Sequence, residues 1–84
     1  MNEYLVLYRS EDETYYVKST AANIFDKMDM DDCYDIHIEK LWILKPDGLK
    51  RCHFYGTWHN GNDPLRMEIR YGKKVLDVGY GTDH

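Results

Sequence analysis

Residues 65–80 read LRMEIRYGKKVLDVGY. Leu65, Met67, Ile69 and Tyr71 alternate with Arg66, Glu68 and Arg70. Successive side chains of a strand point to opposite faces, so this spacing predicts a strand with one apolar and one charged face. Gly72-Lys73 follows, a pair suited to a two-residue type II′ turn in which glycine takes the positive φ. Lys74–Tyr80 is then the returning strand. Such a hairpin belongs to an antiparallel sheet, and the rest of the chain reads in the same way.

Working backwards, Asn60-Gly61-Asn62-Asp63-Pro64 is a loop, and Leu49–Trp58 is the strand before it. Lys45-Pro46-Asp47-Gly48 is a turn with proline at its second position and glycine at its fourth. Ahead of it, Asp35–Leu44 reads as a strand. Strict alternation places Ile36, Ile38 and Trp42 on one face with Lys40, and Leu41 and Ile43 on the other with His37 and Glu39. Apolar residues on both faces predict a central strand. At the N-terminus, Glu3–Arg9 and Thr14–Lys18 flank the charged turn Ser10-Glu11-Asp12-Glu13. Leu5 and Leu7 take one face of that first strand, and Tyr4, Val6 and Tyr8 the other.

Between the two groups of strands the period changes from two to 3.6. Ala21, Ile24, Phe25 and Met28 fall at i, i+3, i+4 and i+7, one apolar stripe of a helix. Ser19 or Thr20 supplies the N-cap, and the helix is expected to end near Met30, where Asp31-Asp32 has low helix propensity. The predicted order is ββαββββ. This is an α+β fold in two layers, with a single helix on an antiparallel sheet of five or six strands. The expected core is Ile24, Phe25, Met28, Ile38, Trp42, Met67 and Ile69, with Trp58 beside it.

A chain of 84 residues suffices for one domain, residues 1–84, and buries only ~60% of the surface it exposes when unfolded. No run approaches the ~20 apolar residues of a membrane span, and the N-terminus lacks the basic start of a secretory signal. Cytosolic location and no membrane contact are the expectations. Cys33 and Cys52 have no CxxC partner, so they are expected as free thiols.

No catalytic, metal or cofactor motif is present. His53 and His59 on a straight strand stand roughly 20 Å apart, too far for one metal ion. Cys52 and His53 are neighbours on a strand and point to opposite faces, so they make no dyad. The only serines, Ser10 and Ser19, lie in a turn and at a helix cap. Gly79-Tyr80-Gly81 follows a strand but opens no helix, unlike a dinucleotide fingerprint. An EF-hand loop starting at Asp29 requires glycine at Tyr34 and glutamate at Lys40. A non-enzyme without cofactor is therefore expected.

Charge is unevenly spread. The whole chain carries −4, with −6 in residues 1–35 and +2 in residues 36–84. Asp26, Asp29, Asp31, Asp32 and Asp35 crowd the expected helix end, where the helix dipole disfavours carboxylates by ~0.3–1 kcal/mol each. With Glu11, Asp12 and Glu13 of the first turn they suit docking onto a larger protein with a basic surface, such as a nucleic-acid enzyme with a basic groove. The expectation is a small acidic protein–protein interaction module acting as an inhibitor. In size and charge alone, with no shared motif, the chain is similar to small acidic accessory proteins of phages and mobile elements, anti-CRISPR proteins among them. The alternative is a single-stranded nucleic-acid-binding domain using an exposed sheet face with Arg51, His53, Tyr55, Arg66 and Arg70, where aromatic rings stack bases and arginines meet phosphates. Net acidity speaks against that alternative.

Overall fold

The computed structural model describes residues 1–29, 36–57 and 66–81. The order is β1 (Glu3–Arg9), β2 (Thr14–Thr20), α1 (Ala21–Asp29), β3 (His37–Lys45), β4 (Gly48–Thr57), β5 (Arg66–Tyr71) and β6 (Lys74–Tyr80). The fold is α+β and dominated by sheet. All strands join one antiparallel sheet in the order β2-β1-β3-β4-β5-β6. In sheet order β1 stands between β2 and β3, while the other strands consecutive in sequence are neighbours.

Local chemistry explains the punctuation. The Thr20 side-chain oxygen accepts a hydrogen bond from the Asn23 amide at 3.3 Å, so Thr20 is the cap of α1. Gly48 and Gly72 take φ of +128° and +61°, closing the β3–β4 and β5–β6 hairpins where a side chain would be strained. In the first turn the Ser10 amide donates to the Glu13 carbonyl at 2.8 Å.

One face of the sheet carries the core. Tyr4, Val6 and Tyr8 of β1 lie buried beside Leu41 and Ile43 of β3, Cys52 of β4, and Met67 and Ile69 of β5. Ile24 and Phe25 of α1 close this cluster from above. The sheet curls strongly around them. The Tyr4 hydroxyl of β1 donates to the Asp77 carboxylate of β6, although β3, β4 and β5 lie between those strands. Four strand spacings in a flat sheet amount to roughly 19 Å, far beyond the reach of these side chains. The curl brings both edge strands, β2 and β6, against α1.

Strand β3 departs from strict alternation. Leu7 pairs Lys40 but Tyr8 pairs Ile38, which leaves Glu39 as an extra residue in a bulge. A bulge shifts the phase of alternation. Ile38 therefore faces the core before it, and Leu41 and Ile43 after it. The apolar residues assigned by alternation to two faces thus serve one core. Trp42 is displaced from the expected core to the opposite face, where it is half-buried. Met28 and Ile38 pack on the core as half-buried residues rather than inside it. Trp58 and the strand positions 35 and 65 lie outside the described residues.

Two buried phenols make stability depend on alkaline pH. Burial and the neighbouring Tyr15 push Tyr8 up to about 12. Burial, then the Asp77 carboxylate, raise Tyr4 further. An unfolded tyrosine titrates near ~10, so the stabilisation from both neutral phenols is complete below that pH and is lost as pH rises through the folded values. The melting temperature is expected to hold up to roughly pH 10 and then fall, and Tyr8→Phe to flatten that fall. A melting temperature level up to pH 12 would contradict the burial of these hydroxyls.

Candidate functional site

The helix covers one face of the sheet, and among the described residues the other face is open. Residues directly paired across antiparallel strands share a face, so the register fixes its membership. On β4 and β5, His53 pairs Arg70, Tyr55 pairs Glu68 and Thr57 pairs Arg66. Arg51 pairs Trp42 of β3, which pairs Leu5 of β1. All five residues of the sequence-based sheet set, Arg51, His53, Tyr55, Arg66 and Arg70, therefore lie on the open face. On β6 the same face presents Val75, Val78 and Tyr80.

The arginines are held in place. Glu68 is only 8% exposed despite its position on the open face. Its carboxylate accepts from Arg66 at 2.9 Å and from the Arg70 Nε at 2.9 Å. The Arg66 guanidinium first, and Arg70 next, hold the Glu68 carboxyl below the usual carboxylate range. Arg66 also donates to the Tyr80 hydroxyl at 2.9 Å.

Each of three arginines lies over an aromatic ring. Arg70 is 4.6 Å from the Tyr55 centroid, Arg66 is 5.6 Å from Tyr80, and Arg51 is 5.8 Å from Trp42. Tyr16 of β2 leans toward Trp42, with centroids 6.3 Å apart. Rings thus run across the open face from β2 to β6, and three of them have an arginine over them. Exposed ion pairs and cation–π pairs contribute only ~0–1 kcal/mol each, so folding alone gives weak reason for three of them side by side.

The charge of this face opposes that of the chain. Among the described residues it carries Arg9, Lys18, Lys40, Arg51, Arg66 and Arg70 against Glu3, Glu39 and Glu68. Arg9 pairs with Glu39 at 2.8 Å and Lys18 with Glu3 at 3.2 Å. The face is net basic on a protein of net charge −4. Net acidity therefore does not argue against anion binding here, because most of the acids lie elsewhere.

The acidic set is placed in part. Glu11, Asp12 and Glu13 are exposed at the tip of the first hairpin, Asp26 is exposed on α1, and Asp29 is half-buried at its end. Lys27 lies 4.6 Å over the Tyr8 ring and 5.1 Å over that of Tyr15. Those rings flank the hairpin tip, so the helix end and the acidic turn share one end of the molecule. Asp31, Asp32 and Asp35 lie outside the described residues, as do Cys33, His59, Asp63 and His84.

Cys52 is a buried free thiol, and burial pushes its pKa up, which suits a packing role and not a nucleophile. Among the described residues no cluster of three or more His, Cys, Asp or Glu is placed to hold a metal ion, and no helix is long and apolar enough to cross a membrane. A hollow of about 250 Å³ lies between β3 and β4, lined by Met28, residues 37–41 and residues 51–54. Sequence reasoning missed this hollow, because the bulge that creates it shows only as a phase change between Ile38 and Leu41. Comparison with family models, curated proteins and solved structures finds no match.

Proposed function

We propose that the protein is a non-enzymatic binding domain for single-stranded nucleic acid, with the open sheet face as its platform. The observation that carries this reading is the meeting of Arg51, His53, Tyr55, Arg66 and Arg70 on one net-basic, uncovered face. Single-stranded nucleic acid offers phosphates to arginine and unpaired bases to rings, and domains that bind it combine these two contacts on a sheet. Tyr16 and Tyr80, both 63% exposed, extend the platform to the two edge strands. Glu68 keeps Arg66 and Arg70 extended over the rings, so less side-chain entropy is lost on binding. A cytosolic location accords with this reading.

The test is fluorescence anisotropy with a labelled oligothymidylate at several salt concentrations. Wild-type affinity should fall steadily with salt. Arg51→Ala should lessen the slope of log affinity against log salt by about 0.7, the value of one phosphate contact on a single strand. Tyr55→Ala should weaken binding on the order of 5- to 100-fold, as loss of a stacked base does. Wild-type protein that shows no salt-dependent binding would sink the proposal.

A second reading keeps the acidic end as a dock for a basic protein, and thereby an inhibitory role. The shared location of the hairpin tip and the helix end favours it. Changing Asp29, Asp31 and Asp32 to asparagine separates the two readings. Oligonucleotide binding should be unchanged or tighter, because three repulsive charges are gone. Weaker binding of the variant to a basic protein surface, together with no oligonucleotide binding by wild type, would favour the acidic dock instead.

A further inference from the structure

The pairing of β3 with β4 runs from Lys45↔Gly48 to Leu41↔Cys52 and stops. At that point Glu39 bulges from β3, whose first residues stay with β1. Strand β4 continues along β5, as far as Thr57↔Arg66. Bulges increase local twist and end pairing. Here the two central strands splay apart and leave the hollow of about 250 Å³ between them. Over this length, among the described residues, β3 pairs with β1 and β4 pairs with β5.

The floor of the slot is apolar, made by Met28, Ile38, Cys52 and Phe54. Its rim carries Lys40, Arg51 and His53. The one rim carboxylate, Glu39, is engaged by Arg9. The volume is below the ~300–1,000 Å³ of pockets for drug-sized ligands, so the occupant is small. The apolar floor suits an apolar body, and Lys40 and Arg51 suit negative charge at the mouth. His53 at the mouth pairs with Arg70, which lies over Tyr55, so the slot opens beside the stacking row.

We infer that the slot between β3 and β4 receives one unstacked nucleobase of a bound single strand, with its phosphate on Lys40 and Arg51. This rests on the single-stranded nucleic-acid reading and adds a site to it. A strand lying along the row of rings passes the mouth. Turning one base out of an already single strand requires less energy than extruding it from a duplex.

The test uses the methyl groups of Met28 and Ile38 as reporters of the slot floor in NMR spectra. Thymidine 5′-monophosphate should shift both signals saturably, and inorganic phosphate should leave both unmoved. Lys40→Ala should weaken the nucleotide about tenfold, as loss of a charged hydrogen bond does. Lys40 is exposed, so this variant is expected to fold. If the oligonucleotide binds but the nucleotide leaves both methyls unmoved, the slot proposal is overturned and the platform stands. If the nucleotide shifts them but no oligonucleotide binds, the platform falls and the slot proposal falls with it. Shifts caused by an oligo-aspartate peptide and not by the nucleotide would overturn the slot proposal in favour of an acidic peptide.

Discussion

Phe25→Ala is expected to destabilise the fold by ~3–5 kcal/mol, the usual range for truncating a buried phenylalanine. Native proteins lie only ~5–15 kcal/mol below their unfolded states, so such a loss is a large part of the total. Three observations place the substitution at the upper end. Phe25 is 7% exposed and lies in the core cluster. Its ring stands 6.4 Å from that of Phe54 on β4. It also sits directly on β6, since a Cβ added at Gly79 would lie 2.3 Å from the ring. The helix has nine residues, too few to be stable alone in water, so packing must hold it. Loss of this anchor removes the contact by which α1 meets the far edge of the curled sheet. Chemical denaturation read by circular dichroism measures the effect. A loss below about 1 kcal/mol would show that the helix does not close the core.

The strand pattern was largely legible in the sequence, and the reason is local. Alternation in Leu65–Tyr71, a glycine in the β3–β4 and β5–β6 turns and a 3.6-residue stripe in Ala21–Met28 each follow from contacts within a few residues. The curl was not legible, because it depends on Tyr4 and Asp77, which are 73 positions apart. Neither residue signals the other by any spacing rule. The bulge at Glu39 was visible as apolar residues out of phase, yet the same pattern describes a central strand with two buried faces. Only pairing with β1 separates the two readings, and it moves Trp42 from the core to the open face.

The candidate site shows the same division. That Arg66 and Arg70 share a face follows from alternation, and so does the grouping of Arg51, His53 and Tyr55. That the two groups share one face depends on the register of β4 with β5. Whole-chain charge was a poor guide, because it averages a basic face with an acidic end. In the sequence the carboxylate that organises the arginines, Glu68, is only one charged position of the alternation. It is one acid among fifteen, and only its burial between two guanidinium groups marks it.

Gly79→Ala is expected to destabilise by ~1–3 kcal/mol, the range for forcing added volume into a packed core. The added methyl would stand 2.3, 2.6 and 2.9 Å from three ring carbons of Phe25. Real contacts at such distances do not persist, so ring or strand must move. The ring has little room, with Phe54 on one side and the helix backbone behind it. The backbone at Gly79 is not in the left-handed region, so the substitution brings no φ strain of its own. Alanine in fact favours a strand slightly over glycine, because it has less freedom to lose. The penalty therefore comes from the ring alone, and a double-mutant cycle isolates it. In the Phe25→Ala background, Gly79→Ala should be neutral or slightly stabilising, since the methyl enters the space the ring has left. Residues in contact commonly show such coupling at ~0.5–3 kcal/mol. Purely additive effects in the cycle would mean that the helix reaches β6 by some contact other than Phe25 on Gly79. The closure of the curled sheet would then need another explanation.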